Sequence, residues 1–148
     1  MVIQTDSEFR SALDKLPTPI QRELAAHFTD SVVGLCNDPR IKAALNAARR
    51  SDITDIELGA IYQAANAASV ESYTQCGKET DWMNQAGHFV AEAAKSCVKS
   101  PERGHNLAWD ADMYARMART CETIAKGQGT QNRESELQYK LADEYAAQ

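Results

Sequence analysis

Along most of the chain, apolar residues recur at intervals of three and four, the period that places them on one face of an α-helix. Phe9, Leu13 and Leu16 do so first, behind Asp6-Ser7, and Pro17 closes that short segment. Ile20, Leu24, Phe28, Val32 and Leu35 follow a Thr18-Pro19 start and predict a helix ending near Gly34 and Asn37. Asp38-Pro39 repeats the cap-and-proline device ahead of Ile41, Ala44, Leu45 and Ala48. Thr54 and Glu57 form a capping box that opens a long helix over 54–76, stopped by Gly77. Thr80 or Asp81 opens the next, over 80–99. Ser100-Pro101 opens one over 101–126, stopped by Gly127-Gln128-Gly129, and a last helix covers about 133–145. No segment alternates in the manner of a strand.

The short connections imply antiparallel neighbours. The fold class expected is therefore all-α: an antiparallel up-down bundle of six to seven helices in one domain spanning 1–148. Helices 54–76, 80–99 and 101–126 form its spine, residues 6–50 cover it, and 131–146 supply a C-terminal helix. The spine is rich in alanine, with Ala86, Ala91, Ala93 and Ala94 on its second helix and Ala108, Ala111, Ala115 and Ala118 on its third. Facing alanines let helix axes approach closely, which leaves little room for a cofactor between them.

Charge narrows the function classes. The net charge is −5, and the acidity is even: residues 1–74 carry seven Lys/Arg against ten Asp/Glu, and 75–148 carry nine against eleven. Such a surface repels phosphate, so nucleic acid and anionic membranes are not expected partners. The one basic stretch, Arg40, Lys42, Arg49 and Arg50, does not share a helical face. No apolar run is long enough to span a bilayer, and residues 1–8 have no basic or apolar leader pattern. The expectation is a cytoplasmic protein whose cysteines are thiols.

Chemistry-bearing patterns are few. His88 and Glu92 stand at i and i+4, and the antiparallel turn at Ser100 brings Asp110 and Asp112 to a similar level. A metal site on His88, Glu92 and Asp112 is one expectation, in a small metal-binding bundle or enzyme. Glu102 and His105 form a Glu-x-x-His unit, the helical element of di-iron bundles, but only one copy is present. Cys36, Cys76, Cys97 and Cys121 lack Cys-x-x-Cys spacing; Cys76 and Cys121 lie toward the same end of the spine. Nucleophile, phosphate-loop and dinucleotide motifs are absent, so no cofactor is expected. Leu107, Ala111, Tyr114, Ala118 and Cys121 form a heptad-like seam, with Met113, Met117 and Ile124 beside it. That face is wider than one neighbouring helix needs. The leading expectation is a non-enzymatic protein that binds another protein, first of all itself, through Met113, Met117 and Ile124. A further reading is an acidic decoy for a basic protein surface.

Overall fold

The computed structural model describes residues 2–75 and 81–147. Among them it forms seven α-helices: α1 (Asp6–Asp14), α2 (Thr18–Asp30), α3 (Pro39–Arg49), α4 (Asp55–Gln75), α5 (Trp82–Val98), α6 (Leu107–Ala125) and α7 (Glu134–Ala146), with a short 3-10 turn at Val33–Leu35. No strand occurs among the described residues, and no helix is long and apolar enough to cross a membrane. Cys76, Gly77 and Thr80, which figure in the sequence expectations, lie outside the described residues.

The helix starts follow the local chemistry. Thr54 Oγ1 accepts from Glu57 N at 3.1 Å while the Glu57 carboxylate reaches back to Thr54. Thr5 and Glu8 repeat this box at the start of α1, one residue ahead of the Asp6-Ser7 start expected. Asp38 caps α3 and Asp81 caps α5.

Two boundaries differ from expectation. Helix α2 ends at Asp30 rather than near Gly34. There Ser31 Oγ takes the Phe28 carbonyl at 2.8 Å, and Arg119 Nη2 takes the Ser31 carbonyl at 2.6 Å. Those carbonyls are therefore engaged from the side. Helix α6 starts at Leu107, not at Pro101. Gly104 adopts φ 81°, a left-handed conformation that stops a helix, and the His105 amide closes a turn onto Glu102 O. The Asn106 side chain then caps α6 by accepting from Trp109 N at 3.1 Å.

Helix α5 is the centre of the packing, with α6, α4, α3 and α2 all against it. Contacts across the two long seams run antiparallel: Asn66, Ser69 and Ser72 of α4 meet Lys95, Glu92 and His88 of α5. Lys99 of α5 meets Asp110 of α6. The alanines explain the closeness. Ala86, Ala91, Ala93 and Ala94 on α5, and Ala108, Ala111, Ala115 and Ala118 on α6, are all fully buried. Gly87 fits the same pattern, since a Cβ there would stand 3.2 Å from the Leu35 carbonyl oxygen. Helix α4 is the outer member, with Ala65, Ala68 and Ser69 buried but Ala60 and Ile56 exposed.

The large side chains gather on the other flank. Phe9 lies 5.7 Å from Phe28, 6.0 Å from Trp109 and 5.2 Å from Tyr139 by ring centroid. It ties α1 to α2, α6 and α7, together with buried Leu13 and Leu24. The core thus has an alanine seam and an aromatic cluster, and these fail in opposite ways. Phe28→Ala leaves a cavity and is expected to cost about 3–5 kcal/mol. Ala94→Leu overfills the seam and is expected to cost about 1–3 kcal/mol or more. Urea unfolding midpoints at constant m-value check both, and an unshifted midpoint in the Ala94→Leu chain would contradict the close α5 packing.

Candidate functional site: the outer face of helices α4, α5 and α6

Because small residues fill the inner side of α5, its longer polar residues emerge along the two seams. On the α4 side they form a ladder. Ser69 Oγ hydrogen-bonds Glu92, whose carboxylate also lies 3.4 Å from Lys95 Nζ. One turn away, His88 Nδ1 sits 3.0 Å from Ser72 Oγ and 3.1 Å from the Ser69 carbonyl. A carbonyl can only accept, so Nδ1 is the donor in that contact. The rings of Tyr73 and Phe89 flank His88 at 5.5 and 5.6 Å.

On the α6 side, Phe89 stacks on Tyr114 at 6.3 Å. Burial raises the Tyr114 phenol above its ordinary pKa, and the neighbouring Glu92 carboxylate raises it further. Lys99 lies 3.5 Å from Asp110, which also lies 3.7 Å from His105. Together these residues shape two adjoining hollows on one surface. One, of about 520 Å³, lies over α5 and α6 and is edged by Met113 and Met117. The other, of about 430 Å³, lies over α4 and α5 and is edged by Val70 and Tyr73. Glu92, Lys95 and Tyr114 are common to both.

The structure separates the expected metal ligands. His88 and Glu92 lie together on the α4–α5 seam, with Glu92 already engaged by Ser69 and Lys95. Asp110 faces Lys99 and His105. Asp112 is fully buried on the far side of α6, among Arg116, Asp6 and Arg10. Two residues turn a helix by about 200°, so Asp110 and Asp112 cannot both address α5. Among the described residues no group of three potential metal ligands converges. Glu102 and His105 stand in the turn before α6 rather than on a helix, so they are not a bundle ligand unit. The basic stretch is compensated as well: Arg40 pairs with Asp38 and Glu71, Arg49 with Asp30, and Arg50 with Asp52 and Glu57.

Asp112 has a different consequence. Arg116 Nε lies 2.7 Å from Asp112 Oδ1, but directs its hydrogen to Gln138 Oε1, also at 2.7 Å. Neither Asp112 oxygen receives an aligned hydrogen bond. Burial therefore outweighs the guanidinium's attraction, and the carboxyl is pushed up to about 7. The same arginine reaches Asp6 at 2.9 Å, and Tyr139 Oη donates to Asp6 at 2.6 Å, so this buried group joins α6 to α1 and α7.

A folded pKa above the unfolded one means that Asp112 stabilises the fold fully below about pH 4, and that this contribution is lost as pH rises through about 7. Asp112→Asn removes that loss. The stability of the variant relative to the native chain is expected to improve by roughly 2–4 kcal/mol between pH 4 and pH 8. Urea unfolding across that range checks it, and parallel profiles for the two chains would contradict the buried-acid assignment. Compared with known protein families, curated proteins and solved structures, the chain matches none.

Proposed function

We propose that this chain is a non-enzymatic protein-binding module whose first partner is a second copy of itself, docking on the outer face of α4, α5 and α6. The observation that carries this reading is the exposure of Met113 and Met117. They stand at i and i+4 on α6, 39% and 40% accessible, on the edge of the 520 Å³ hollow. Ile124, seven residues beyond Met117, is half-buried and extends the same stripe. Val70 and Tyr73, 56% and 69% accessible, edge the adjoining hollow. Unbranched methionine beside aromatic rings gives an adaptable, apolar contact surface.

Charge supports a copy of the chain as the occupant. Lys95 and Lys99 lie among Glu92, Glu102 and Asp110. A face holding both signs can meet itself across a two-fold axis with unlike charges opposed. A uniformly acidic face on a chain of net charge −5 would repel its copy. The proposal places the protein in the cytoplasm, which the Cys36 and Cys97 thiols support. Burial pushes the Cys97 thiol up to about 12, so it is unreactive at neutral pH.

Sedimentation equilibrium tests the reading. The expected result is reversible dimerisation in the micromolar range, weakened at least about tenfold by M113E/M117E with an unchanged circular dichroism spectrum. A native chain that remains monomeric at about 0.5 mM would overturn it.

A further inference from the structure

Arg22 is a buried cation that forms no ion pair; the Asp55 carboxylate attracts it only from beyond pairing distance. It sits on the inner stripe of α2 with Ala25, Ala26 and Thr29, and is 9% accessible. Its Nη1 donates to the carbonyls of Cys97 and Lys99, at 2.9 Å each. Those oxygens belong to the C-terminal end of α5, where helix carbonyls lack amide partners and a cation is favoured. Among the described residues, no carboxylate comes within ion-pairing distance of Arg22, and no hydrogen bond engages its Nε or Nη2. The flat edge formed by those two nitrogens is the one that matches a carboxylate in two-pronged fashion.

Arg22 lines a cleft of about 610 Å³ between the start of α4 and the α5–α6 connection. Lys99 lines it too, with its own acidic neighbours no closer than 3.7 and 3.5 Å. Asp55, on the first turn of α4, contributes an exposed carboxylate that takes part in no ion pair among the described residues; Glu102, which lies near Lys99 and His105, adds a second carboxylate. Leu58, Tyr62 and Val98 supply apolar wall. The volume is in the range of small-molecule sites.

An anion alone would meet Asp55 and Glu102, and a cation alone would meet Arg22 and Lys99. A ligand with both charges answers both. We infer that this cleft binds a small zwitterion of the amino-acid class, its carboxylate on the open edge of Arg22 beside Lys99 and its ammonium toward Asp55. Such a ligand supplies the contacting carboxylate that Arg22 lacks while α5 keeps its cap.

NMR titration of the full chain, labelled with ¹⁵N-arginine, tests this directly. The probes are glycine, β-alanine and γ-aminobutyrate, in which the two charges stand progressively further apart, with acetate and methylammonium as single-charge controls. The expected result is a saturable shift of the Arg22 Nε–H signal by at least one zwitterion, with a Kd on the order of 1 mM. Asp55→Asn changes an exposed residue and should weaken that zwitterion about tenfold while binding acetate at least as well as the native chain does. Arg22→Lys keeps a cation for the α5 carbonyls but loses the flat edge; read in a uniformly ¹⁵N-labelled chain at the backbone amides of Asp55 and Lys99, it should weaken zwitterion and acetate alike. The proposal is overturned if no probe gives a saturable shift up to about 50 mM. It is equally overturned if acetate binds as tightly as every zwitterion, or if Asp55→Asn changes nothing. Repeating the titration on the M113E/M117E chain keeps this outcome separate from that of self-association.

Discussion

The structure depends on how tightly α5 is enclosed. Four helices pack on it, and fully buried alanines at 86, 91, 93 and 94 are what allow them to come so near. Close-packed interiors respond to single methylene groups, so this arrangement fixes helix positions sharply. It also excludes long polar side chains from the inner side of α5. Those side chains must leave through the seams, which is why Glu92, Lys95 and His88 line up against Asn66, Ser69 and Ser72. It buries the end of α5 as well, where the carbonyls of Cys97 and Lys99 need a donor that solvent cannot easily supply. The outer groove and the position of Arg22 are therefore two consequences of one packing constraint.

Among the described residues, three charged groups go inside, and they resolve the cost in different ways. Glu134, 3% accessible, receives both Ser31 Oγ and Arg119. Asp112 has a guanidinium beside it but no aligned donor, so its protonated form is favoured up to near neutrality. Arg22 has aligned acceptors but no carboxylate within ion-pairing distance. Hydrogen-bond geometry and charge compensation are separate requirements for a buried ion, and only Glu134 meets both. A buried group that meets one of them is either a liability or an opening for chemistry from outside. Asp112 is sealed between α6 and the two terminal helices, so its cost stays with the fold. Arg22 borders a cleft, so a solute can meet its remaining requirement.

The sequence displays much of this and hides specific parts. Capping residues with proline or glutamate at fixed offsets announce α3 and α4, because they act within a single turn. The same logic misleads at Ser100-Pro101. Whether a cap-like pair starts a helix depends on the next few residues, and Gly104 with the capping Asn106 moves the start to Leu107. The end of α2 is hidden for another reason: Arg119, 88 residues away, takes the Ser31 carbonyl. The spacing of His88 and Glu92 is visible, yet whether α6 turns Asp110 or Asp112 toward them is set by its rotation about its own axis. No local pattern encodes that rotation. Arg22 is a residue that periodicity alone passes over. It lies off the Ile20, Leu24 and Phe28 stripe, beside small residues at three, four and seven positions on, Ala25, Ala26 and Thr29, whose burial only the packing reveals.

The proposal of binding at the surface, rather than reaction in the interior, rests on where the apolar area remains. Alanine seams consume little side-chain volume, and the larger apolar residues of residues 6–50 are spent on the aromatic cluster around Phe9. Met113, Met117, Val70 and Tyr73 are left on the outside of a three-helix layer whose outer member, α4, meets α5 through a polar ladder beside the buried Ala65 and Ala68. Net stabilisation from such hydrogen bonds is modest, about 1 kcal/mol each, because water competes for them. Covering the layer with a second apolar face would exclude that water, bury the methionines, and strengthen the polar ladder beneath them. The face that one copy leaves incomplete is thus the face that the proposed second copy would complete.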